Sequence, residues 1–590
     1  MPTYIRLTDY KSSEEKERGF FDPANRYEAK QEDFEKIPGS PIAYWLSENI
    51  ISIFENAKPF SDFVDSRVGL DTGDNEYFVR YWFEVCFDKT SFDSVSIDDF
   101  YSKDKKWVGH TKGGDFRRWY GNLESVLAFD KVNYELLLES GNHLPNRQFY
   151  FTEGFNWSRV SSGKFAVRYI PNGYVFNSGC PTAFASKNAI RYYLSLMNSK
   201  LIDNFIKILN PTINFQSGTI SKVPIMFPKN NDRKEFINQL TQQNIDISKE
   251  EWDSRETSWD FRINELIRMK NEVLKAESCK LEDAYNAYCE YWREKFFQLH
   301  TNEEELNRLF IDIYGLQDEL TPEVPLEDIT ILKNEAKIID GELIFQKDEI
   351  VKQLVSYAVG VMFDRYSLDH VGLHIADMGV SLEEANAKFD ISHPTFEADD
   401  DNIIPVLEDD YFDDDIVGRF HAFLKAAFGE EYLEENIRFV EEALGKSLRR
   451  YFVKDFYEDH IKRYKKRPIY WMVSSPKHAF NALFYMHRYR PDIFARIQTG
   501  YLHEYMAKLE AKLADARRVA LDESSSARDK KAAQKEITRI EKALKELRAF
   551  DNDALSHYAA QSIEIDLDDG VKVNYCRFKE ILWPIKSLCK

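Results

Sequence analysis

The chain has little cysteine and histidine and no long apolar run. Its six cysteines, Cys86, Cys180, Cys279, Cys289, Cys576 and Cys589, are scattered over 590 residues, with no Cys-x-x-Cys pair and no histidine at ligand spacing. That distribution argues against zinc fingers and a disulfide framework, and most of these thiols are expected to be small core residues. No segment approaches the roughly 18 apolar residues of a membrane span, and Met1-Pro2-Thr3-Tyr4-Ile5-Arg6 lacks a signal-peptide pattern. The expectation is a cytoplasmic protein without a membrane partner.

Catalytic signatures are lacking too. There is no P-loop, no G-x-S-x-G elbow and no H-E-x-x-H pair. Of 12 histidines, His478 and His487 stand out but lie nine apart, which is no metal-ligand spacing. Both are expected to be ordinary core or surface residues. Paired carboxylates are too common here to discriminate. Group transfer to a base amino group requires a Gly-rich cofactor turn and an Asn/Asp-Pro-Pro-aromatic loop that accepts from the flipped base. The chain has no Pro-Pro dipeptide, and its nearest fragment, Asn210-Pro211-Thr212-Ile213, lacks the second proline and the aromatic. By its residues, the chain is a binder before it is an enzyme.

What is present is a contrast of charge. The net charge is −21, yet from Tyr101 to Asn230 there are 17 Lys and Arg against 8 Asp and Glu, a local excess of nine positive charges. A cationic face on an acidic body can dock a polyanion and release its counterions; a solvated basic face with no partner is the alternative. The module opens with Lys112-Gly113-Gly114-Asp115-Phe116-Arg117-Arg118-Trp119-Tyr120-Gly121-Asn122, where cations sit beside planar side chains and paired glycines. Apolar content of 43% and aromatic content of 14% are ample for packing, and the length implies three or four domains.

Local patterning gives an α+β organisation: a mixed β module followed by a mainly α-helical C-terminal region with a long helical hairpin. Strands are expected at 148–151, 155–160, 165–170 and 174–176, separated by Ser161-Ser162-Gly163 and Pro171-Asn172-Gly173. One helix is expected over 189–209, from the spacing of Ile190, Tyr193, Leu194, Met197, Leu201, Ile202 and Phe205. Helices follow over 266–299 and 416–464, and the acidic run 397–415 looks like an exposed linker or rim. Residues 502–521 and 527–550 are rich in Ala, Leu, Glu, Lys and Arg around a Ser-rich turn. They read as an antiparallel hairpin protruding as an arm, with a pair packed flat on its own domain as the alternative.

The Lys112–Asn122 stretch resembles the entry to the target-recognition domain of the PglX family. These are adenine-specific DNA methyltransferases of BREX phage-defence systems, related to type IIG and IIL restriction–modification enzymes. Further similar stretches run along the chain: residues 31–45, Gly69–Asn75, Ser248–Phe261, Asn302–Arg308, Arg467–Trp471 and Asp569–Tyr575. The resemblance spans nearly all of the chain but only the C-terminal half of the family pattern, whose cofactor and Asn-Pro-Pro-Tyr loops lie in the other half. It implies this division: a connector from the methyltransferase domain over 1–100, the recognition domain over 101–230, a helical spacer over 231–330, a C-terminal helical domain over 331–500, the hairpin over 501–561 and a final segment over 562–590.

The resemblance implies that this part chooses the DNA site, while S-adenosylmethionine and methyl transfer belong to a catalytic half supplied in the same or another polypeptide. No cofactor and no methylation are expected of the chain alone, which would be a split product, a truncation or a fragment. Expected partners are double-stranded DNA, the methyltransferase half and other BREX proteins. Direct readout needs directional donors and acceptors in the major groove, which selects Asn156, Arg159, Ser161, Lys164 and Arg168. Lys112, Arg117, Arg118, Lys187 and Lys222 are the phosphate-contact candidates. Trp119, Tyr120 and Trp157 are available for stacking, though burial is the expected fate of each. Two other readings are a protein-docking adaptor built on the C-terminal half and an inactive remnant.

Overall fold

A computed structural model describes residues 2–140, 144–161, 164–210 and 212–589. The fold is α+β, with small sheets in the N-terminal part and long helices after residue 230. Two sheets form the body around residues 101–230. In one, Tyr174–Phe176, Trp107–Thr111, Ser125–Ala128 and Val79–Tyr81 lie side by side, and Thr90–Ser91 also pairs with Trp107–Val108. The other is antiparallel throughout, in the order Val167–Ile170, Gly154–Trp157, Thr182–Phe184, Asp65–Arg67. Strands from before residue 101 therefore complete both sheets. Every residue of Trp107–Thr111 and Gly154–Trp157 is buried, which explains why these strands read as continuous rather than alternating apolar runs.

Several local expectations need correction. Gln148–Phe151 is not a strand: Asn146 takes a left-handed φ of 59° and starts a 3-10 turn over Arg147–Phe149. The aromatic content of that segment reflects burial rather than extension. The helix over 189–209 is two, Lys187–Met197 and Lys200–Leu209. Between them the Asn198 side chain donates to the Val167 carbonyl (3.0 Å) and accepts from its N–H (2.9 Å), tying the break to a sheet edge. Ser199 then caps the second helix. Of the expected turn at 161–163, Ser162 and Gly163 lie outside the described residues, as does Pro211 of the 210–213 fragment.

Two long helices, Asn231–Asp253 and Leu281–Tyr314, cross behind the sheets. The helix expected over 266–299 is interrupted by a π turn at Met269–Leu274 and a left-handed Lys275 before restarting at Leu281. Beyond residue 330, short helices surround the three-stranded sheet Ile404–Pro405, Asn481–Tyr485, Tyr470–Ser474. The acidic run is no linker. Ile403, Ile404, Val406 and Leu407 are buried within it, and Asp415 caps the helix Ile416–Phe428 through the Val417 and Gly418 N–H groups.

The hairpin forms as His503–Leu521 and Ala527–Phe550, closed by Leu509, Leu513, Ile537, Ile540, Leu544 and Leu547. Its root is pinned: Tyr505 packs edge-on to Tyr411, Lys512 pairs with Asp409 (2.9 Å), and Glu546 accepts from Ser475 and the Lys477 N–H. Its tip is open, with Leu521 82% exposed. Cys576 and Cys589 are joined by a disulfide, which the scattered spacing did not suggest; Cys180 and Cys279 are buried thiols as expected, and Cys86 and Cys289 are half-buried.

Candidate nucleic-acid interface

The Lys112–Asn122 stretch faces two ways. Its second half points inward. The Arg117 guanidinium donates to the Glu251 carboxylate (2.5 Å) and to the Tyr120 and Ser248 carbonyls, and burial lowers its pKa against the attraction of Glu251. Arg118 donates to one Glu303 oxygen (2.6 Å) and the Trp119 indole N–H to the other (2.7 Å). Glu251 and Glu303 stand on the two long helices, so this run fastens the sheets to the helical layer. Trp119 holds a left-handed φ of 69°, unusual for a bulky residue. It is kept there by its N–H donating to Val167 and its carbonyl accepting from Tyr169. Gly121 is required at φ +129°, where a Cβ would strike Arg117.

Four expected DNA-contacting residues are therefore interior. Arg117 and Arg118 are ion-paired. Asn156 is buried in the middle of its strand, and Arg168 is buried with Ser158 Oγ (3.4 Å) and Cys180 Sγ (3.7 Å) as its partners. Buried groups of this kind hold the sheets together and do not reach a groove. Trp119, Tyr120 and Trp157 are buried as well. The sequence shows a basic-aromatic run but not the distant carboxylates that draw it inward.

The first half of the stretch is at the surface. The Ser158 hydroxyl accepts from the Gly114 N–H (3.2 Å) and donates to its carbonyl (3.1 Å), while the Arg159 N–H donates to the Gly179 carbonyl (3.0 Å). Gly113 lies against Gly179 so closely that a Cβ would meet its carbonyl at 3.3 Å. Three loops thus form one rim that carries Lys112, Arg159 and half-exposed Ser161. Exposed Val160 pairs with Asn214 beside exposed Ile213 on the same rim. Lys187 and Lys222 are exposed elsewhere on the module, and exposed Lys164 is engaged by Asp328.

Behind the rim lies a cleft of about 840 Å³. Lys112–Asp115, Asn122, Glu124 and Ser125 supply part of its lining; Lys465, Arg467, Lys572 and Lys579 come from the C-terminal region, beside the Cys576–Cys589 disulfide. Lys465 pairs with Glu124 across the cleft. Glu84 accepts from the Tyr81 and Val571 N–H groups, and burial raises its pKa. Lys112 is exposed by area, yet its pKa is lowered, first by partial desolvation of the ammonium and then by Arg467, a charge of the same sign. These C-terminal cations escape a residue-by-residue reading because they lie more than 300 positions from Lys112. The signal that finds Arg467 and Lys572 is their place in stretches already noted as family-like.

Among the described residues no group of His, Cys, Asp or Glu is arranged to hold a metal ion, and no helix is long and apolar enough to cross a membrane. The paired glycines after the strand Trp107–Thr111 pack against Ser158, Gly179 and Asn122.

No protein-family model matches the chain. It is 36% identical over 614 residues to the adenine-specific methyltransferase PglX of Lacticaseibacillus casei (strain Zhang), covering 99% of this chain and 49% of that protein. It is 35% identical over 612 residues to the adenine-specific methyltransferase BrxX of Escherichia coli O9:H4 (strain HS), covering 100% of this chain and 48% of that protein. The chain spans about half the length of these curated relatives, and along its whole length it is homologous to adenine-specific methyltransferases.

Proposed function

We propose that the chain provides target recognition for BREX-type adenine-specific DNA methylation in phage defence, choosing the site at which a catalytic segment of the same system transfers the methyl group. The homology to two adenine-specific methyltransferases over the full chain carries this reading. The rim supports it. Lys112, Arg159 and Ser161 offer cationic and hydrogen-bonding side chains beside two glycines and an apolar pair, a composition suited to a duplex edge. Lys187 and Lys222 extend the cationic surface for phosphate contact. S-adenosylmethionine is bound by the catalytic segment, and the recognition part holds the duplex while the base is turned out.

The test is equilibrium binding of the chain to a labelled duplex over a series of salt concentrations. Wild-type affinity falls steeply with salt, and replacing Lys112, Arg159, Lys187 and Lys222 by Gln flattens the log–log slope by about 3 to 4. Failure to bind duplex at low salt contradicts the reading. A docking role for the C-terminal half is favoured instead if removal of the open hairpin tip abolishes complex formation with other defence proteins and spares DNA binding.

A further inference from the structure

We infer that the cleft behind the rim is an anion site for a phosphoryl group, held jointly by Lys112 and Arg80 from the sheet module and Lys579 from the C-terminal segment. The first observation is a charge imbalance. Among the lining residues Lys465 pairs with Glu124 and Lys572 with Glu76, Arg467 lies 3.6 Å from Glu84, and Asp569 pairs with Arg577, which does not line the cleft. Lys112, Arg80 and Lys579 have no carboxylate within ion-pair distance among the described residues, whereas Asp115 is the lining carboxylate left without a cation. Arg80 gives its guanidinium only to the carbonyls of Glu76 (2.6 Å), Val79 (3.0 Å) and Asp569 (3.0 Å), and its buried Nε has no partner. Glu84 and Asp569 lie near enough to attract Arg80, whereas Lys112 is partly desolvated beside Arg467, a charge of the same sign, and such a cation is costly unless an anion meets it. This excess stands out in a chain of net charge −21.

The second observation is convergence. Asn75, the run Lys112–Asp115, Arg467, and the group Asp569, Gly570, Lys572 and Val573 all line this cleft, and each of the four falls in a different stretch that carries the family resemblance. Four such stretches, distant in sequence, meet at one place. The Gly113–Gly114 backbone is fixed against Gly179, Ser158 and Asn122, which holds Lys112 at the edge of that wall.

Phosphoryl oxygens come from a DNA backbone or from a free phosphorylated ligand. The DNA source rests on the function proposed above; the anion site itself does not. The test compares the whole chain with its Lys112→Gln, Lys579→Gln and doubly substituted variants, and with Lys530→Gln on the hairpin as a control. Lys112 and Lys579 are exposed and Lys530 is half-buried, and unchanged melting of all variants in chloride verifies the fold. In duplex titrations each cleft substitution is expected to lower the log–log salt slope by about 0.9, and the pair by about 1.8, while Lys530→Gln has no effect. In a second arm, millimolar inorganic phosphate is compared with chloride at equal ionic strength. A wild-type rise in melting temperature that is lost in the double variant, with duplex slopes unchanged, supports the site with a free phosphorylated ligand as its source. If neither the slopes nor the phosphate shift respond to Lys112 and Lys579, the inference is overturned. If the wild type binds no duplex, the proposed function fails, and the phosphate arm alone decides the anion site.

Discussion

Arg118 and Trp119 donate to the two oxygens of one buried carboxylate, Glu303, while Arg117 shares Glu251 with Arg255. Removing one member of a buried ion pair leaves an uncompensated charge, at about 3–5 kcal/mol. Arg118→Met is therefore expected to lower the unfolding free energy by about that amount, whereas exposed Lys222→Met changes it by less than about 0.5 kcal/mol; urea denaturation distinguishes them. His110 adds a pH dependence. Its Nδ1 lies 2.9 Å from the Val175 carbonyl, and burial lowers the imidazole from 6.5 to about 4. The unfolded chain takes up this proton below pH 6.5 and the folded chain only near 4, so stability is full above 6.5 and falls as the pH drops through that window. Relative to His110→Asn, the wild type should lose up to about 3 kcal/mol between pH 7 and pH 4. Parallel pH profiles of the two proteins would contradict this.

At the scale of elements, the hairpin divides into an anchored root and an open tip. Tyr505, Lys512 and Glu546 tie the root to the segment 402–415 and the loop at 475–477. Replacing residues 518–532 by a short Gly-Ser turn should leave thermal unfolding and DNA affinity unchanged. Deleting 501–561 uncovers Tyr411 and Phe480 and should lower the melting temperature by several degrees. Equal effects of the two deletions would show that the root carries no packing. The hairpin is legible in the sequence because Leu509, Leu513, Ile537, Ile540, Leu544 and Leu547 repeat at helical spacing. The acidic run is not, because its buried core at 403–407 is short and flanked by aspartates that cap and pair only in the folded chain. The turn at 147–149 depends on the left-handed Asn146, which overrides the strand preference of the aromatics after it.

For the whole molecule, the surface of the candidate site lies where strands and loops from distant positions meet. Glycine pairs and exposed lysines make the Lys112 loop recognisable in one dimension. Whether a neighbouring arginine faces solvent or a glutamate 185 residues away, as Arg118 does with Glu303, is decided only by the helical layer. The same holds for the cleft, which Lys112 and Lys579 both come to line through packing of the C-terminal segment against the sheets.

The central claim is that this chain selects a DNA sequence. The most direct measurement is selection from a randomised duplex library by the chain alone at moderate salt, followed by sequencing of the bound fraction. The account predicts enrichment of one short asymmetric motif, weakened by Arg159→Gln at defined positions of that motif. Binding that enriches no motif, or no binding at all, would contradict it.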